Sequence, residues 1–227
     1  AGWLAKATGT SCFNLDLFMM TPEQALQSFI SHSYHSLTAE VQKSENEKLR
    51  SWEDEQGIIP DISTSQPPNF FSRIAIIEGN RGLFDGVDHA GTYSTAELAK
   101  LLKAPVIIII DCTKATNTIA AMVLGCQQMD PDVSIGGIVL NQIATSRQEA
   151  VIRKAIEGRC NVPVVGAIPR LKKDPFPERH MGLTPFHEHG DIEKSLDLAA
   201  EIGEQNLDVE RIVQIANQTS PLGGRGV

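Results

Sequence analysis

The sequence predicts an α/β fold, a mostly parallel sheet with helices on both faces. Three observations carry this. Val106–Ile110 is a run of five β-branched residues with no polar alternation, the pattern of a central parallel strand covered on both sides. Short apolar runs alternate with longer amphipathic stretches, the order that builds βαβ units. Polar residues stand where the apolar runs stop: Glu78, Asp111 and Asn141. Open α/β sheets bind their ligands at the carboxyl ends of their strands.

The elements follow in order. Residues 1–20 open with a short helix-like piece and a polar turn around Asn14 and Asp16, where Asp16 suits a turn or cap. Thr21-Pro22-Glu23 is a helix start, and the helix Pro22–His35 places Ala25, Leu26, Phe29 and Ile30 on one face. Residues 36–72 are strongly polar, then rich in Pro, Ser and Thr, and read as a surface insertion. A buried strand is expected over Arg73–Ile77. It runs into Glu78 and a glycine-spaced loop with Arg81 and Asp85, in which Gly79, Gly82 and Gly86 permit tight turning.

Ser94 or Thr95 can cap a helix reaching Leu102, with Glu97 in its first turn. After the Val106–Ile110 strand come a helix from about Thr116 to Met129, a strand Ile135–Leu140 and a helix Arg147–Glu157. A strand Val162–Ile168 follows, ending in Pro169-Arg170. Phe176–Thr184 is expected to be a loop that puts Glu178, Arg179 and His180 in consecutive positions. Gly190–Glu204 and Leu207–Ala216 read as amphipathic helices, and residues 217–227 as a linker. The domain expected is therefore 1–216, with the polar insertion at about 36–72.

Composition narrows the function classes. A chain of 227 residues with 41% hydrophobic and 21% charged residues has enough material for a sizeable core. A formal net charge of −8 argues against a general nucleic-acid or anionic-membrane binder. No apolar run reaches the roughly 18 residues that span a bilayer. Cys12, Cys112, Cys126 and Cys160 form no C-x-x-C pair, and buried reduced thiols in a cytoplasmic protein are expected. The six histidines show no zinc spacing; His187-Glu188-His189 reads as a solvated loop. There is no G-x-S-x-G elbow and no G-x-x-x-x-G-K-[ST] phosphate cradle in the chain. Carboxylates at strand ends suit Mg²⁺, which takes a few oxygen ligands, waters and phosphates. An asparagine can pair with an adenine edge through its donor and acceptor. A helix cap at Asp111 and a turn role for Asn141 compete with these readings.

Several blocks together resemble the cobyrinic acid a,c-diamide synthase family. They are Ala7-Thr8-Gly9 with Asn14-Leu15-Asp16; Glu78-Gly79-Asn80-Arg81-Gly82-Leu83-Phe84-Asp85-Gly86; Ser94-Thr95-Ala96-Glu97-Leu98-Ala99; Asp111; Val139-Leu140-Asn141; Gly166-Ala167-Ile168-Pro169-Arg170; and Pro177-Glu178-Arg179-His180-Met181-Gly182-Leu183. The resemblance implies a P-loop NTPase, dethiobiotin-synthetase-like domain that binds Mg²⁺, ATP and a tetrapyrrole. It implies phosphorylation of the a and c acetate carboxylates, and a glutaminase domain supplying ammonia to the acyl phosphate. Carried over by position, Glu78 and Asp85 would be catalytic, Glu78 as the Mg²⁺ ligand and Asp85 positioning substrate or intermediate. Asn141, Pro169 and Arg170 would line the adenine pocket. Asp16, Glu178, Arg179 and His180 would lie on the tetrapyrrole side, and Arg81 would meet a substrate carboxylate.

The family's Walker A strand and loop would precede residue 1, and its glutaminase domain would follow Val227. The expectation is a synthetase domain from the middle of a larger cytoplasmic enzyme, compatible with a homodimer. Sirohaem or nickel sirohydrochlorin as substrate, and a non-catalytic binding module of the same fold, are alternatives. A partitioning-type ATPase fits the Glu78–Gly86 block less well.

Overall fold

The computed structural model describes residues 2–34, 74–79, 81–171, 178–179, 182–183 and 192–218. The insertion expected over 36–72 lies outside them, as does His180. The described elements are α1 (Gly2–Thr8), α2 (Pro22–Tyr34), α3 (Thr95–Leu101), β1 (Val106–Asp111), α4 (Asn117–Met129), β2 (Ile135–Ile143), α5 (Ser146–Cys160), β3 (Val164–Pro169), β4 (Glu178–Arg179), β5 (Gly182–Leu183), α6 (Ile192–Asn206) and α7 (Val209–Gln218). The helix α7 thus continues two residues into the stretch expected to be linker. The chain divides into two compact units, Ala1–Phe13 with Lys103–Thr219, and Asn14–Leu102 with Ser220–Val227.

The first unit holds a parallel sheet in the order β1-β2-β3. Side chains alternate across a strand, and β2 shows the consequence. Ile138 and Leu140 join Ile110, Ile119, Val123, Ile152 and Ile156 in a core under α4 and α5. Val139, between them, joins Val165 and Ile215 on the opposite face, with Ile107, Ile168, Leu207 and Ile212 packed around them. Both faces are covered at β2 and β3, as the apolar runs predict. Ile138 and Leu140 are fully buried; each contributes about 1.5–3 kcal/mol through removal of its side chain from water. The α6–α7 junction closes the free side of β3: Asp208 donates to the Val165 carbonyl at 2.8 Å, and Leu207 bridges Gly166.

Local signals set the helix ends. Thr145 caps α5 by accepting from Gln148 N at 3.1 Å, and Asn161 ends it in the left-handed region at φ 51°. Arg153 stabilises the middle, donating to Glu149 at 2.9 Å and to the Val164 carbonyl at 2.7 Å. Cys112 and Cys160 are buried, and burial raises the thiol pKa of both and of Cys126. Among the described residues all four cysteines are unpaired in disulfides.

Three expectations need correction. Ile74–Gly79 is not a strand, and Ile76 is 82% exposed. An apolar run becomes a strand only with a neighbour to complete its hydrogen-bond ladder. The described residues of its own unit offer helices and turns and no such neighbour. Second, β1 was expected at the sheet's centre but is an edge strand among the described residues, with Ile109 66% exposed. Third, the loop expected over Phe176–Thr184 contains a short antiparallel pair, Glu178 opposite Leu183 and Arg179 opposite Gly182. No helix among the described residues is long and apolar enough to cross a membrane.

Candidate functional site

In the first unit the candidate residues gather at the carboxyl edge of the sheet. Asp111 and Asn141 are register partners across β1 and β2, and Ile143 and Pro169 across β2 and β3. Backbone bonds continue the ladder past the strand ends: Cys112 N donates to the Asn141 carbonyl and Arg170 N to the Ile143 carbonyl, both at 2.9 Å. Asp111 accepts from the Thr113 amide at 2.7 Å. The Thr113 hydroxyl and amide hold its carboxyl below the usual aspartate range, and the Arg170 guanidinium adds to this. Asn141 accepts from Gln142 N at 2.9 Å through its side-chain oxygen. Its amide nitrogen has no partner among the described residues, which leaves a donor for a ligand. One edge therefore presents an ionised carboxylate, an amide and a guanidinium.

The second unit holds Asp16, Glu78, Arg81 and Asp85, all exposed. Asp16 makes a turn, as the plainest sequence reading has it: Phe18 N donates to its carboxylate at 2.9 Å, and Met19 and Met20 donate to its carbonyl at 3.0 Å. The glycine loop is closely tied. Asp85 N donates to the Gly82 carbonyl at 3.0 Å and Val87 N to the Thr92 carbonyl at 3.0 Å. Ala96 N in α3 donates to the Leu83 carbonyl at 2.9 Å. Ser94, itself buried, caps α3 by accepting from Glu97 N.

Sequence reasoning missed the residue that closes this loop, Asp88. Its carboxylate accepts from Ala90 N and Thr92 N at 3.0 Å and from the Thr92 hydroxyl at 2.8 Å. An aspartate just ahead of a glycine turn is a legible signal for this role. Phe18 and Tyr93 were also missed; their rings meet edge to face with centroids 5.9 Å apart.

The hydrogen bonds from Thr92 lower the Asp88 pKa. A lowered folded-state pKa means that the stabilisation is present above the unfolded value and is lost as pH falls through the folded one. Protection of the Ala90 and Thr92 amides, relative to an unstructured chain at the same pH, should therefore be high at neutral pH and fall below the ordinary aspartate range. Asp88→Asn should remove that acid transition; an identical pH profile in the variant would show another group responsible.

The side chains of Glu178 and Arg179 lie outside what is described, so the structure brings together Asp111, Asn141, Pro169 and Arg170 in one unit, and Asp16, Glu78, Arg81 and Asp85 belong to the other.

A parallel sheet covered on both faces, with polar residues at its strand exits, is the build of a P-loop NTPase-like α/β domain. Residues 30–174, more than half of the chain, match the family model described as an AAA domain. The chain is 36% identical over 220 residues to the cobyrinate a,c-diamide synthase of Magnetococcus marinus, covering 97% of this chain and 39% of that protein. It is 37% identical over 196 residues to the hydrogenobyrinate a,c-diamide synthase of Brucella anthropi, covering 86% of this chain and 44% of that protein. With the cobyrinate a,c-diamide synthase of Archaeoglobus fulgidus the identity is 41% over 150 residues, 66% of this chain and 32% of that protein. The chain thus spans less than half the length of these relatives. No solved structure matches it. The chain belongs to the AAA domain family and is a homologue, over most of its length, of the cobyrinate and hydrogenobyrinate a,c-diamide synthases.

Proposed function

We propose that this chain is the synthetase part of an ATP- and glutamine-dependent enzyme that amidates the a and c acetate carboxylates of a cobyrinic acid-type tetrapyrrole. The observation that carries the reading is the alignment of 97% of the chain with a cobyrinate a,c-diamide synthase. In the reaction a substrate carboxylate oxygen attacks the γ-phosphorus of ATP, and the bond to the ADP oxygen breaks. Ammonia then attacks the acyl carbon, phosphate leaves with the electron pair, and the nitrogen gives up a proton. The ammonia comes from glutamine through a glutaminase domain of the intact protein. Residues 1–216 are the synthetase domain in this reading, 217–227 lead toward the glutaminase, and the enzyme works in the cytoplasm.

The exposed residues suit these roles. Glu78 presents an exposed carboxylate, and Asp85 of the same unit another. That donor set fits Mg²⁺, which is held by one or two carboxylates together with waters and substrate phosphates. When bound, the ion neutralises charge on the phosphates. Arg81 forks onto the carboxylate to be activated, and Asp85 orients that group. Asn141 reads the adenine edge beside Pro169 and Arg170. Asp16, Glu178, Arg179 and His180 serve the tetrapyrrole.

The test uses the intact gene product with ATP, Mg²⁺ and glutamine, and cobyrinic acid, hydrogenobyrinic acid, sirohaem and nickel sirohydrochlorin side by side. Stepwise formation of mono- and diamide, with stoichiometric ADP, is expected from at least the first or second. No ADP release above background with any of the four sinks the reading. The relatives' names favour both the cobalt-containing and the cobalt-free acid, so the ratio of their kcat/KM values assigns the substrate.

A further inference from the structure

Gln148 lies in the first turn of α5, where its sequence neighbourhood, Thr145 followed three residues later by Gln, marks a capping box. Its side chain does more than cap. The carboxamide oxygen accepts from Ala144 N at 2.9 Å. The carboxamide nitrogen donates to the Cys112 carbonyl at 2.6 Å and to the Ala115 carbonyl at 2.9 Å. One neutral group therefore fastens the loop after β2 to the loop after β1, and uses both of its N–H donors on the latter.

A left-handed residue lies in the fastened loop after β1 and another two residues before the fastened Ala144. Cys112–Ala115 is a turn closed by Ala115 N donating to the Cys112 carbonyl at 3.2 Å. Its third residue, Lys114, has φ 55°, a position where turns favour glycine or asparagine. At the penultimate residue of β2, Gln142 has φ 61°. A left-handed non-glycine residue persists only where its surroundings over-determine it, and such residues cluster at ligand sites. Gln148 holds the two carbonyls that flank Thr113 and Lys114, and it holds the amide two residues past Gln142. The turn it secures follows directly on Asp111, the register partner of Asn141.

We propose that Gln148 is a positioning residue for the nucleoside triphosphate, fixing the Asp111–Ala115 turn so that Asp111, Thr113 and Asn141 present one preset edge to the ligand. This rests on the reading of Asn141, Pro169 and Arg170 as the adenine pocket. The carboxamide is suited to the task because a carboxylate in its place would set an oxygen against two carbonyl oxygens, and a thioether would donate nothing.

The test compares Gln148→Glu and Gln148→Met with the intact wild-type protein. Gln148→Met keeps length and helix propensity and loses both donors and the acceptor for Ala144 N, so it guards against a Gln148→Glu variant that fails to fold. The expected result is a KM for ATP raised about tenfold, from loss of the two neutral hydrogen bonds to the Cys112–Ala115 turn, with the KM values for tetrapyrrole and glutamine unchanged. Hydrogen exchange should quicken over residues 112–116 and 144 and not elsewhere in the sheet. An unchanged KM for ATP and unchanged exchange in Gln148→Met overturns the inference. So does a general loss of stability with all three KM values rising together, since that marks a purely structural role. Wild-type protein that turns over its tetrapyrrole without ATP overturns the functional reading and this inference together; an ATP-dependent wild type with an unaffected variant overturns the inference alone.

Discussion

Glu78→Gln should lower diamide formation by about a hundredfold or more, the size seen when one preorganised electrostatic group is removed from a reacting centre. The substitution keeps volume and shape and removes only the charge. Glu78 is exposed, with no partner among the described residues, so folding should hardly notice; surface changes of this kind stay within about 0.5 kcal/mol. Function and stability are thus separated in one variant. The expected kinetic signature is a fall in kcat with partial recovery at high Mg²⁺, because a carboxamide oxygen is a weaker ligand for a hard cation than a carboxylate. Initial rates against Mg²⁺ concentration, with a thermal melt on the same sample, read both. Wild-type turnover at limiting Mg²⁺ would remove Glu78 from the reaction.

What was legible in the sequence was the part governed by local pattern. β1, β2 and β3 follow from runs of β-branched and small residues, of which β2 and β3 are covered on both sides and β1 leaves Ile109 exposed. Placing a carboxylate and an amide at two successive run ends sufficed to expect Asp111 beside Asn141, and the register makes them partners. The run before Glu78 looks the same by composition, yet forms no strand among the described residues, because pairing is a property of neighbours rather than of the run. Gln148 shows the opposite limit. Its capping pattern is visible in sequence, but its donors reach carbonyls 33 and 36 residues earlier, a contact that only the folded βαβ unit creates. Asp88 precedes a glycine turn, a legible turn signal, but its hold on Thr92 four residues on depends on the folded loop.

The glycine loop supplies the second large effect. Gly86→Ala places a methyl group onto the Thr92 carbonyl oxygen and within 2.5 Å of the Gly91 carbonyl carbon. Both are backbone atoms, which cannot rotate away as a side chain would. The neighbouring bond from Val87 N to the Thr92 carbonyl, 3.0 Å long, and the Asp88 contacts to Thr92 share the same few atoms. Relief of the overlap must open all of them. Overpacking of this kind costs about 1–3 kcal/mol. The functional loss should exceed the stability loss, since Asp85 sits one residue before Gly86 and a displacement near 1 Å can cost about a hundredfold in rate. Gly125→Ala is the matched control. Nothing lies within 4 Å of its added methyl group, and the site is in the middle of α4. There alanine should stabilise by roughly 0.5–1 kcal/mol, because glycine loses more backbone freedom in a helix. Urea unfolding, amide exchange at Val87 and turnover, measured on both variants, separate the two cases. A Gly86→Ala protein with protected Val87 and full turnover would mean that the loop has room this structure does not show, and that Asp85 is held by something other than the Gly86–Thr92 approach.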